Sequence, residues 1–191
     1  MTDNKRIILA ITGASGAIYG VRTLELLRAL GVEVHLVISP MGARVIREET
    51  GRTSADLVGM ASCNYQPDDL SAPIASGSCP VDGMLIVPCS IKTLSGVANS
   101  YADSLIVRAA DVCLKEGRPL LLAVRETPLH PGHLRLMSQA AAAGALIFPP
   151  VPAFYSQPET IDDLVKATVG RMLARIGIDN SAYQPWGSDQ G

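Results

Sequence analysis

Short, unbroken apolar runs alternate along this chain with stretches whose apolar positions recur every three to four residues. The runs are Arg6–Ile11, Val34–Ile38, Met84–Val87, Pro119–Val124 and Ala145–Phe148. Runs of this length without polar alternation predict strands buried on both faces. Helical spacing predicts a helix over Ala17–Leu30, with Ile18, Val21, Leu24, Leu27 and Leu30 on one stripe. Further helices are predicted over Ala43–Thr50, Ser54–Met60, Leu94–Ala98, Ser104–Leu114, His133–Ala143 and Thr160–Ile176, the last with Thr160 as its N-cap. Ser62–Pro80 is polar and reads as the longest loop, either a cover over a site or a plain surface connection. Pro149–Tyr155 is a stiff turn, and a polar tail begins at about Gly177. Alternating strands and helices predict an α/β fold, a parallel sheet with helices on both faces. With no repeat or linker visible, one domain is expected over residues 1–191.

The stretch Ile86–Pro128 organises the chemistry. One strand ends in Cys89, Ser90, Lys92 and Thr93, and the next ends in Arg125 and Glu126. Thr12-Gly-Ala-Ser-Gly16 follows the first strand, and Ser39 ends the second. Ligands of open α/β sheets bind at this edge. Ser90 is placed to cap a helix, where free N–H groups favour an anion. The glycine loop lacks the GxGxxG spacing, so a phosphate cradle and a plain tight turn both remain open. Tyr155 and Arg171 can join from the last segment. Hydroxyls and cations are the groups that recognise phosphate.

Metal ligands are scarce at these ends. His35, His130 and His133 have no zinc-type spacing, and His35 reads as a core or interface residue. Cys89 has no base beside it and reads as a structural thiol. Glu126 is the best acid/base candidate, with a structural ion pair as the alternative. Arg44, Arg47, Glu48 and Glu49 read as a solvated helix face, and Asp103 and Asp111 have no partner identifiable from sequence.

Among the 191 residues, 48% are apolar and 18% charged, which implies surface buried between subunits. No apolar stretch is long enough to span a bilayer, and the polar start Met1–Arg6 is unlike a signal peptide. A net charge of −2 without a basic run argues against nucleic acid as a partner. Cys63, Cys79, Cys89 and Cys113 show no CxxC pairing, and reduced thiols in the cytoplasm are expected.

Several motifs in order resemble the UbiX family of flavin prenyltransferases over nearly the whole chain. They are Thr12-Gly-Ala-Ser-Gly16, Pro88-Cys-Ser-Ile-Lys-Thr-Leu94, Arg108-Ala-Ala-Asp-Val112, Leu114-Lys-Glu116, Arg125-Glu126-Thr-Pro128 and Pro152-Ala-Phe-Tyr155. The resemblance implies a Rossmann-like flavoprotein, assembled as a dodecamer with sites between subunits. It implies transfer of a dimethylallyl group from dimethylallyl monophosphate to reduced FMN, without a metal. Bonds form at N5 and C6, and the prenylated FMN passes to a UbiD-type decarboxylase. Gly13, Ala14, Ser15, Ser39, Ser90, Ile91, Lys92, Thr93 and Arg125 match FMN-binding positions. Tyr155 and Arg171 match prenyl-phosphate positions. Glu49, Arg108, Lys115 and Glu126 match polar active-site residues, with Lys115 expected from a neighbouring subunit, and Trp186 matches a tryptophan near the site. Catalytic roles fall to Ser15, Glu49 and Glu126. Some members carry an aromatic residue over the prenyl group near the position of Leu70.

Two alternatives stand beside this reading. Related flavin-dependent cysteine decarboxylases carry Pro-Ala-Ser-Ala-Asn-Thr where this chain has Pro88-Cys-Ser-Ile-Lys-Thr93, so Lys92 replaces their asparagine. A non-catalytic FMN carrier would not need Glu49, Lys115, Glu126 and Arg171 together.

Overall fold

A computed structural model describes residues 5–187. Met1–Asn4, part of the polar start, and residues 188–191 of the tail lie outside the described residues. The strands are β1 (Arg6–Ile11), β2 (Glu33–Ile38), β3 (Cys63–Tyr65), β4 (Gly83–Cys89), β5 (Leu120–Val124) and β6 (Leu146–Ile147). The helices are α1 (Ala17–Ala29), α2 (Pro40–Thr50), α3 (Ser54–Val58), α4 (Ile91–Ala98), α5 (Leu105–Lys115), α6 (Pro131–Ala142) and α7 (Ile161–Arg175). A 3₁₀ turn, Pro73–Ala75, interrupts the long connection before β4.

All pairings are parallel, in the order β3-β2-β1-β4-β5-β6. The central strands β1, β4 and β5 are almost wholly apolar because both their faces are covered. In β1, Ile7, Leu9 and Ile11 join a core with Leu24 and Leu27 of α1 and Val169 and Leu173 of α7. Ile8 and Ala10 face the other way, toward Leu94 of α4 and Ile106 and Ala109 of α5. Chain order reverses at β1, since β2 lies on one side and β4 on the other. The crevice above the β1 and β4 ends is therefore the place this topology leaves open for a ligand.

Three helices begin earlier than apolar spacing predicts. Ser39 caps α2 by accepting from Gly42 N at 3.0 Å, with Pro40 in the first turn. Ser90 caps α4, and His130 caps α6 ahead of Pro131. Proline is pre-set for a first turn, so α2 and α6 start by cap chemistry instead of apolar periodicity, while α4 starts at the Ser90 cap that the sequence predicts. The predicted long loop also contains β3, which makes a sixth strand. Three residues, Cys-Asn-Tyr, carry no apolar run, and it is pairing with His35–Val37 that makes them a strand. The tail past Gly177 is partly docked: Ile178 is buried, and Asn180 Nδ2 donates to Gly170 O at 3.0 Å. Among the described residues no helix is long and apolar enough to cross a membrane.

Candidate active site

A cavity of about 420 Å³ opens at the crevice, lined by Thr12, Gly13, Ser39, Met41, Ser90, Lys92, Thr93, Asp103, Ile106 and Val107, among others. Thr12, given no role from sequence, ties it together. Its hydroxyl donates to Pro88 O at 2.7 Å and accepts from Ser90 N at 2.9 Å, which joins the ends of β1 and β4. Ser90 Oγ accepts from Thr93 N at 3.3 Å and lies 3.1 Å from Thr93 Oγ1. The N-termini of α2 and α4 both face this space, so their free N–H groups and dipoles favour an anion. Gly13 is required for the closure: a Cβ there would lie 2.5 Å from Met41 Cβ. Met41, Ile106 and Val107 give the cavity apolar walls for a flat ring. Ala14 is a buried residue of the loop, and Ile91 opens α4. The Lys92 side chain is 85% exposed and sits 3.5 Å from Asp103, the partner sequence could not supply.

Beside this cavity lies a second cluster. Glu49 accepts from the N–H groups of Gly16 and Ala17, each at 2.8 Å. Its carboxylate thus occupies the N-terminus of α1, where the sequence left a phosphate cradle open. Arg44 and Glu48 form the solvated pair expected of that face, but Glu49 turns inward. Burial alone would raise the Glu49 pKa. The Ser15 hydroxyl, the Ala17 and Gly16 N–H groups and the Arg125 charge outweigh it and hold it below the usual carboxylate range. The Arg125 backbone is fixed by a 3.2 Å bond from its N–H to Cys89 O. Ser15, Glu49 and Arg125 are thereby brought together from three elements.

Tyr155 and Arg171 line a second cavity, of about 500 Å³, with Phe148, Thr168 and Tyr183. Arg171 lies 5.9 Å from the centroid of Phe148. Trp186 meets Tyr155 edge-on at 5.3 Å, and the Tyr155 hydroxyl donates to Gln184 O at 3.2 Å. Burial and Tyr183 raise the Tyr155 pKa against the pull of Arg171. The hydroxyl is therefore a neutral donor at ordinary pH.

Arg108 and Lys115 are not brought to the strand-end cavity of the same chain. Arg108 donates to Ala75 O at 3.1 Å and to Asp111 at 2.9 Å. Lys115 ends α5 at the edge where β5 begins, paired with Glu116. Glu126 is exposed past the end of β5 and accepts from Thr127 N at 3.0 Å. Among the described residues it makes no ion pair. Cys89 is fully buried, and burial drives its thiol well above the ordinary range, as a structural thiol requires. Leu70 is exposed on the long connection, whose Pro67 lines the strand-end cavity.

Comparison with known proteins gives the family. A family model described as Flavoprotein matches residues 1–173. The flavin prenyltransferase UbiX of Salmonella typhimurium is 55% identical over 175 residues, 91% of this chain and 93% of that one. The crystal structure of AnUbiX in complex with FMN and dimethylallyl pyrophosphate matches with a TM-score of 0.95 and 45% identity, covering 97% of this chain and 99% of that chain. A dodecameric FMN-dependent UbiX-like decarboxylase from Escherichia coli O157:H7 matches with a TM-score of 0.93 and 43% identity, covering 96% and 100%.

Proposed function

The chain belongs to the UbiX family of flavin prenyltransferases, and from that premise we propose that it transfers a dimethylallyl group from a dimethylallyl phosphate to reduced FMN. The observation that carries the reading is the hydroxyl-lined cavity at the β1/β4 crevice, faced by two helix N-termini and flanked by the Ser15, Glu49 and Arg125 cluster. These residues fit FMN. Ser39, Ser90 and Thr93 and the α2 and α4 N–H groups suit its phosphate and ribityl hydroxyls. Met41, Ile106 and Val107 suit its ring.

Reduced FMN supplies the N5 and C6 atoms at which the new bonds form, and the finished product is prenylated FMN. Cleavage of the allylic C–O bond leaves negative charge on the departing phosphate. Arg171, the neutral Tyr155 hydroxyl and Lys115 of a neighbouring copy stabilise that charge without a metal. Trp186 holds the Tyr155 ring edge-on. Arg108 keeps the Ala75 segment in place beside Lys115. Arg125 and Ser15 hold Glu49 ionised beside the glycine loop, ready to accept or return a proton through Ser15. Glu126 takes up the proton released at ring closure.

The product serves a UbiD-type decarboxylase, and the assembly is a dodecamer working in the cytoplasm. Binding by nucleic acid or membrane is not part of this reading. A flavin-dependent decarboxylase is the second reading. Lys92 stands where that chemistry uses asparagine, and none of the three histidines lines the strand-end cavity. The test is mass spectrometry of the flavin after anaerobic incubation with reduced FMN and dimethylallyl monophosphate, with the diphosphate in parallel. A gain of one dimethylallyl unit is expected. Recovery of unmodified FMN with both donors would leave a carrier role.

A further inference from the structure

A polar cluster unused by the proposed chemistry lies at the β2/β3 edge of the sheet. Glu33 opens β2, whose other end delivers Ser39. Val34 and Leu36 point into the core under α1, so Glu33 and His35 lie on the opposite face. In the parallel register His35 pairs directly with Cys63 of β3. Three residues on two adjacent strands therefore present a carboxylate, an imidazole and a thiol side by side. One donor atom from each lies within 4.8 Å of the other two.

The surroundings orient these groups. His35 Nε2 is 3.1 Å from Glu33 Oε1, and His35 Nδ1 is 2.9 Å from the Tyr65 hydroxyl. The Tyr65 ring stacks on His35 at 5.8 Å and 11°. Arg6 takes the other Glu33 oxygen at 3.0 Å, leaving Oε1 directed at the cluster. Arg118 donates to Cys79 O and Gly77 O, which holds the covering segment over this face. The His35 side chain is only 8% exposed, while Glu33 at 34% and half-buried Cys63 leave a path for an ion.

We propose that Glu33 Oε1, His35 Nε2 and Cys63 Sγ form a binding site for a divalent transition-metal ion of the zinc type. Mixed nitrogen, sulfur and oxygen donors select such ions over calcium or magnesium. Tetrahedral coordination needs donors roughly 3.5 Å apart, a closure small side-chain rotations supply. Water fills the fourth position. One proton leaves Cys63 as its thiolate binds. In the free protein Nε2 donates to the Glu33 carboxylate; for Nε2 to take the ion the imidazole hydrogen shifts to Nδ1, which then donates it to the Tyr65 oxygen, and this makes Tyr65 the residue that positions His35. Two ligand charges, one thiolate and one carboxylate, match the dication, and the adjacent Arg6 remains paired with the free oxygen. The ion pins the three-residue edge strand β3 to β2.

Tag-free, reduced, metal-stripped protein titrated with cobalt(II) should develop a thiolate charge-transfer band that zinc(II) abolishes. One proton should be released per ion, and zinc should raise the Tm. Cys63→Ser should remove the band, and His35→Gln should weaken binding roughly tenfold or more. Glu33→Gln, at a more exposed position, replaces His35→Gln if that variant fails to fold. Absence of a thiolate band in the unmodified chain overturns the proposal. So does a band that survives Cys63→Ser, because it would come from another cysteine.

Discussion

Glu49 shows how one carboxylate can be read as surface charge and still be part of the site. It stands one residue after Glu48, which is solvated, yet its position on α2 brings it to two N–H groups of α1. Its pKa is lowered in the fold, so its stabilising contribution is present above the ordinary glutamate value and is lost as pH falls through the lower folded value. Glu49→Gln should therefore be less stable than the unmodified chain above the ordinary glutamate value of about 4.3, with the gap closing as pH falls through the lower folded value. Urea midpoints across that range measure it, and a gap constant with pH would show that the charge plays no part. At Glu126 the expectation concerns rate. Glu126→Gln should bind FMN normally but form the finished product roughly a hundred- to ten-thousand-fold more slowly. Single-turnover spectra would show an adduct stalled before ring closure, and a wild-type rate would remove Glu126 from the proton transfers. Ser90→Ala with Thr93→Ala should weaken FMN binding in a fluorescence titration, since the pair lines the strand-end cavity and caps α4.

Helices reach this sheet closely because glycine lets them. A Cβ on Gly20 would lie 2.4 Å from Val87 O, and one on Gly42 would lie 2.4 Å from Ile11 O. Both contacts are with backbone, which cannot rotate away. Gly20→Ala should then push α1 off β4 and cost about 1–3 kcal/mol, read as a lower Tm, with FMN affinity falling as the glycine loop shifts. A neutral effect would mean that α1 tolerates displacement. The register shift in the β4–β5 pairing between Ile86 and Cys89 surrounds Pro88, which has no N–H to give a ladder. That irregularity re-aims the chain so that Ser90 leaves the strand beside Thr12.

At the scale of the whole molecule, the site residues fall into groups that one chain does not unite. Lys115 lies where β5 begins, whereas Ser90 and Arg125 lie where β4 and β5 end. Shared sites between copies make a specific expectation. Lys115→Ala and Glu126→Gln should each be nearly inactive alone. Assemblies reformed from an equal mixture should recover activity, with about a quarter of sites carrying both wild-type groups. No recovery, or a fully active monomer by light scattering, would contradict the shared site. Exposed Leu134, Val151, Phe154 and Ile161 are consistent with surface reserved for neighbours.

The apolar runs and the helical stripes by themselves determined the α/β class, the central strands and most helices. A strand buried on both faces has no freedom to be polar, so burial is written directly into residue type. The strand-end hydroxyls were legible for a related reason, because parallel strands must deliver their last residues to one edge. β3 was not legible: its three residues become a strand only through pairing with β2. The inward turn of Glu49, the tie made by Thr12 and the Lys92–Asp103 contact were equally hidden. Each depends on a partner distant in sequence, and distances of that kind are set by how helices pack on the twisted sheet. The joining of Glu33, His35 and Cys63 is the same case, since only the β2/β3 register brings the thiol beside the imidazole.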